Sequence, residues 1–340
     1  AQVATGSTTL VYVKTIGIAN NNNNGRGFAN PVSLAVSGDG RIFVLNRSDP
    51  ELAIAIRVGI CTLEEEHLGE FGDGSGEGDT QFRLPTAMAF DSRGRLHVTD
   101  EYLNRITLFD SSGTFLGKWG QSGSGDGQLN GPAGIVFDSG DNALVVDQNN
   151  NWVQRFSGDG EYLQQWGKKG SAAGEFDLPW GVTVDSEDNV YVADWRNDRV
   201  QKFTPDGRFL AVFGESGDGD GQFHRPSDVA VDSEGFIYVA DWGNERVQML
   251  SPDGAFLLKE RGRATLSKWA EEFYVSNPDE ETTRNVSNLF PTLPDQSTPY
   301  HVSSQTEAYF WGPTSVTLDK EGRLYVTESN RHRFQVFQRR

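Results

Sequence analysis

The densest group of chemically able side chains is His224-Arg225-x-x-Asp228. Histidine titrates near neutrality, and arginine grips a carboxylate through two parallel hydrogen bonds. The trio could therefore run acid–base chemistry on an anionic substrate, with Asp228 as base or metal ligand. A salt-bridged loop anchor would use the same residue types. A second, dispersed set offers charged, amide and aromatic groups suited to ligand contact: Arg47, Glu101, Tyr102, Asn149, Trp180, Arg196 and Trp311. The Gly/Asp runs at 72–79, 120–129 and 214–223 space their oxygens as calcium loops do. They recur without a well-placed bidentate glutamate, which favours turns. The single cysteine excludes an internal disulfide and any multi-cysteine zinc or iron–sulfur site. His67, His97, His301 and His332 fall at unrelated positions.

Composition limits the partners. The 340 residues include 48 acidic and 30 basic side chains, a formal charge of −18. Such a surface lacks the counterion release that drives non-specific nucleic-acid binding. Hydrophobic residues make up 36%, enough for a core, and no apolar run of about 18 residues exists to span a membrane as a helix. Residues 1–7 are small and mostly polar and begin with Ala1, which fits a mature end left by signal cleavage or an artificial boundary. With few lysines and one cysteine, the expectation leans to a secreted or periplasmic protein.

The elements that must hold these side chains repeat. Pro31, Pro85, Pro132, Pro179, Pro226 and Pro313 open similar segments, and the four from Pro85 to Pro226 follow one another at intervals of 47. Fifteen residues after each comes Asn46, Asp100, Asp147, Asp194, Asp241 or Glu328. Each unit reads as four short strands with Gly, Asp and Asn turns, as in Val182–Val184, Val190–Ala193, Arg199–Phe203 and Phe209–Phe213. A four-stranded unit at this period predicts an all-β fold, a single six-bladed β-propeller over residues 1–340. The sixth unit runs out after three strands, so residues 10–16 (LVYVKTI) should supply the fourth and close the ring. Residues 263–310 interrupt the rhythm between the fifth and sixth blades, on the face that carries Arg47 and Asp228. There Leu266, Trp269, Ala270, Phe273 and Tyr274 form the stripe of one short helix, and the later prolines mark loop. This insertion could act as a lid over a top-face pocket, cover an apolar patch or mediate a subunit contact. The asparagine run at 20–24 reads as a polar loop.

The pattern G-x-F-x-x-P…V-x-D-S-x-G-x-I-Y-V-A-D-W-x-N-x-R-V-Q-x-F, nearly intact at 174–203 and 221–250, resembles the NHL repeat. It recurs more loosely at 78–109, 127–156 and 312–337, while the first unit departs after Asn46, where Arg-Ser-Asp-Pro replaces Trp-x-Asn-x-Arg. The resemblance implies the propeller but not an activity. Residues common to most blades, such as the strand-ending Asp, Arg199 and Arg246, or Trp195 and Trp242, are expected to build blades. In amidating lyases with a similar propeller, zinc is held by histidines directly after the repeat prolines. Here those positions are Val32, Thr86, Ala133, Trp180, Ser227 and Thr314, so that zinc site is absent. RNA-binding NHL domains use a basic face, which an acidic chain argues against. Calcium-dependent lactonases of the six-bladed kind ring their channel with Asp, Glu and Asn, an idea to which Asp228 answers, with Glu101, Asn149 and Asn46 as companions. Two functions follow. The leading one is a binding module that recognises a small molecule, glycan or protein segment on its top face. The alternative is a lactonase-like hydrolase or lyase at the channel mouth under the insertion, with no cofactor or with calcium.

Overall fold

Proline needs no acceptor for a backbone N–H, so it can open a strand without leaving a donor unpaired. In all six blades the innermost strand begins at the repeat proline itself, in the fourth at Pro179 rather than at the expected Val182, with a register shift just after it. The structure, a computed structural model, describes residues 8–18, 25–47 and 55–340. The opening segment 1–7, the asparagine run 20–24 and the departure at 48–50 lie outside the described residues.

Each blade is an antiparallel meander of four strands, as in Pro179–Val184, Val190–Asp194, Arg199–Phe203 and Phe209–Phe213 of the fourth. The sixth blade assembles Pro313–Leu318, Arg323–Glu328 and Arg333–Arg339 with Leu10–Gly17 on its outside, registered from Leu10 opposite Arg339 to Gly17 opposite Arg333. Apolar side chains of neighbouring blades interdigitate in separate clusters around the ring. Leu129 and Phe223, which end two of the Gly/Asp runs, and Phe82 and Phe176 at the matching positions of the other connections are fully buried. Those runs therefore serve as turns that plug the blade seams.

Polar side chains repeat as regularly. The residue fifteen after each proline is completely buried and accepts the N–H two residues before that proline, from Ala29 to Asn46 Oδ1 through Trp311 to Glu328 Oε2. Arg199, Arg246 and Arg333 donate to this carboxylate and to turn carbonyls, whereas Arg105 reaches only carbonyls. A second set links blade to blade. Asn104, Asn151, Asp198, Glu245 and His332, each nineteen residues after its proline, adopt φ of 51–60°. Each accepts the N–H just before the next blade's proline, at 2.6–3.0 Å.

The insertion holds three helices, α1 Lys268–Ser276, α2 Pro278–Val286 and α3 Pro299–Gln305. Two of them, α2 and α3, start on a proline, Pro278 and Pro299, where loop is expected. Proline is tolerated at a helix's first position because that N–H has no intrahelical partner. Ser267 and Thr298 cap α1 and α3 through their hydroxyls.

Candidate functional site

Two rings of side chains make the top of the central channel. One comes from the position after each proline, the other from the position sixteen after it, where the second strand turns into the third. In the first ring the hydroxyls of Thr86, Ser227 and Thr314 donate to the carbonyl of the next blade's proline. They stitch the inner strands and give the floor a polar edge. Trp180, the bulky member, packs against the cluster that contains Ala133, and Ala133 is fully buried.

The second ring reads Arg47, Glu101, Gln148, Trp195, Trp242 and Ser329. Its first three members form a chain: Arg47 Nη2 donates to Glu101 Oε1, and Gln148 Nε2 donates to Glu101 Oε2. Arg47 and Glu101 are 24% and 16% exposed, so this pair is shielded more than a surface ion pair. The next two are indoles with centroids 6.4 Å apart and planes tilted by 44°. Between these halves lies a cavity of about 530 Å³, lined by Arg47 on one side and by Trp180, Trp195 and Trp242 on the other, over the Thr86, Ser227 and Thr314 floor.

The sequence-derived candidates distribute around this cavity unevenly. Arg47 and Trp180 line it, and Glu101 orients Arg47. Arg225 stacks on Trp195, its guanidinium 4.8 Å from the ring, and its backbone N–H donates to Asp198 Oδ1. His224 is exposed, with Nδ1 3.8 Å from Asp198. Arg196 is exposed beside Trp195, and Tyr102 is exposed under the Arg83 guanidinium. Asn149 is exposed and reaches Asn130 at 3.4 Å. Trp311 lies under the insertion, edge-on to Tyr300 of α3 and stacked by Arg331.

Asp228 faces elsewhere. It belongs to the ring below, and it borders a second cavity of about 320 Å³ in the channel, otherwise lined by apolar and hydroxyl residues such as Ser33, Val229, Val316 and Thr317. Burial pushes its carboxyl up to about 7, although Val316 N and Val229 N donate to it at 3.0 and 2.9 Å. In the first blade Ser33 Oγ takes the matching N–H of Met88. Asp228 is thus separated in depth from His224 and Arg225 rather than joined to them. Its donor set does not fit calcium, which needs six to eight oxygens, because both carboxylate oxygens are engaged and no second carboxylate lines this cavity. Among the described residues no group of three or more His, Cys, Asp or Glu side chains gathers as a metal site.

Trp195 and Trp242, expected to pack blades, instead form the cavity wall. The signal was available: the column sixteen after the prolines mixes cationic, anionic, amide, indole and hydroxyl side chains, whereas the framework columns fifteen and nineteen after them keep a hydrogen-bond acceptor in every blade where one is named. The insertion contributes no lining residue, but α3 packs on the turn Trp242–Asn244 and so backs the aromatic wall.

Six radial four-stranded blades around an axial cavity define a six-bladed β-propeller. Residues 129–156, 176–203, 223–249 and 310–337 match the NHL repeat. The chain is an NHL-repeat propeller. No curated protein matches it in sequence. Among solved structures, a protein of unknown function from Bacteroides thetaiotaomicron is 17% identical with a TM-score of 0.67, over 98% of this chain and 76% of that one. Virginiamycin B lyase from Staphylococcus aureus is 12% identical with a TM-score of 0.57, over 97% and 99%. A chain of the nidogen/laminin complex is 20% identical with a TM-score of 0.52, over 74% and 92%. At these identities the likeness is one of fold.

Proposed function

We propose that this protein is a binding propeller that holds its ligand in the top-face cavity. The observation that carries this reading is the division of that cavity into a wall of three tryptophans and a wall built on Arg47. Ligand sites are concave, mostly apolar and furnished with a few placed polar groups, and about 530 Å³ lies within their usual range. Propellers of similar fold include a lyase and a member of a protein–protein complex, so the fold accommodates both kinds of work. The test is a thermal-shift screen of small molecules, oligosaccharides and peptides against the wild type, Trp195→Ala and Trp242→Ala. A ligand at a hundred times its Kd should stabilise the wild type by about 2.7 kcal/mol. The reading expects that stabilisation to shrink in both variants, and hits unaffected by either would place binding elsewhere.

A second reading is favoured by Asp228, whose carboxyl borders the channel and is raised to about 7, the range a general acid or base needs. Under it the protein is a hydrolase or lyase with Asp228 as proton carrier. Asp228→Asn should then abolish turnover of esters or lactones while the fold survives. An unaltered rate would remove Asp228 from any mechanism.

A further inference from the structure

We infer that the ligand of the top-face cavity is a neutral sugar ring, offered by a glycan. This rests on the binding reading above and adds the ligand's chemistry. The cavity presents two faces of opposite character, so its natural occupant is amphipathic and flat. A pyranose has a face of C–H groups that packs on an indole and a rim of hydroxyls that needs hydrogen-bond partners. The tilted pair Trp195 and Trp242 supplies the platform. Arg225 stacks on Trp195 without lining the cavity, so it backs the indole and fixes its orientation. Opposite, Glu101, itself held by Gln148, engages one nitrogen of Arg47, and no other described side chain takes its remaining N–H groups. The indole N–H groups of Trp180, Trp195 and Trp242 are likewise without partners among the described residues. Donors therefore predominate, as a ring of hydroxyl and ring oxygens requires.

Other classes fit less well. A cation would face the Arg47 guanidinium, while the adjoining carboxylate, Glu101, is already neutralised. An anion would meet an Arg47 whose charge Glu101 cancels, inside a protein of net charge −18. A wholly apolar ligand would strip water from Arg47 and return no hydrogen bond.

The experiment titrates the full chain with the methyl glycosides of glucose, galactose, mannose and N-acetylglucosamine, then with immobilised neutral oligosaccharides and neutral-glycan glycoproteins. Tetramethylammonium chloride, sodium acetate and indole serve as comparators. Readouts are tryptophan fluorescence and calorimetry. The expected result is saturable binding of at least one neutral sugar, insensitive to salt because no net charge is paired. That affinity should fall at least tenfold in Trp195→Ala or Trp242→Ala, since central tryptophans carry much of an interface's free energy. Arg47→Ala should lower it severalfold. Equal binding of free and protein-attached oligosaccharide supports recognition of the sugar alone, and tighter binding of the glycoprotein supports a glycan read on its carrier. If no sugar binds up to about 50 mM, the sugar inference is overturned. In that case, a comparator that binds in a Trp195- and Trp242-dependent way leaves the binding reading standing. Sugar binding that all three variants retain overturns both.

Discussion

His332 accepts the Asn30 N–H through Nδ1 at 3.0 Å, at the position where the second to fifth blades use Asn104, Asn151, Asp198 and Glu245. An imidazole accepts only while that nitrogen is unprotonated, and burial holds the His332 pKa below its ordinary value. A lowered histidine pKa means that the unfolded chain binds the proton more readily. The stabilising contribution is therefore complete above about pH 6.5 and is lost as pH falls toward the folded value. Asp228 has the opposite sign. Its carboxyl is raised to about 7, so the folded state favours the protonated form; its contribution is complete below about pH 4 and is lost as pH rises to 7. Urea melts at pH 5 and 7 should separate the two. His332→Asn, which keeps an acceptor like that of Asn104 and Asn151, should lose less stability at pH 5 than the wild type does. Asp228→Asn should remove about 2–3 kcal/mol of the wild type's decline between pH 5 and 7. PH dependences parallel to wild type in both variants would show that neither group titrates with folding.

The insertion is the element whose role the sequence left most open. Its α1 does not lie over the cavity but along the seam where the last blade meets the first. Trp269 is 2% exposed and packs with Phe28, Ile16 and Phe334, while its indole N–H donates to the Glu65 carbonyl. Ser267 donates to Gly17 O on the closing strand, and Glu65 also receives Lys14 and the Lys268 N–H. The segment is a brace across the closure, joining the outer strand of the sixth blade to the outer turn of the first. Trp269→Ala removes the centre of that contact and should cost about 3–5 kcal/mol, the usual range for a buried tryptophan. A single shifted transition in urea would show that brace and ring unfold together. An unchanged midpoint would mean that the insertion is an appendage. The spacing of Trp269, Ala270, Phe273 and Tyr274 was enough to read α1, because an apolar stripe is a local property, although Leu266, expected in the same stripe, falls before the Ser267 cap. What the stripe would meet was not legible, since Glu65 and Gly17 are more than two hundred residues away in sequence.

At the scale of the molecule the repeat made the architecture legible, because each blade encodes its own strands, turns and strand-ending acceptor. The cavity was less so. It is formed by differences between blades, and Trp195 and Trp242 resembled framework because two adjacent repeats share them. The ring also depends on one contact that no repeat encodes. Leu10–Gly17 pairs along the whole of Arg333–Arg339, and Leu10 and Ile16 are buried in the clusters on either side of the sixth blade. Without that strand the sixth blade would present a bare edge, a template for pairing with another chain. Deleting residues 1–17 should therefore lower the melting temperature and convert the protein to concentration-dependent oligomers, read by light scattering. A synthetic peptide spanning residues 8–18 should restore the monomer by occupying the vacant edge. A truncated chain that stays monomeric with an unshifted melting temperature would mean that three strands suffice and that the blade-to-blade hydrogen bonds, His332 to Asn30 among them, close the ring by themselves.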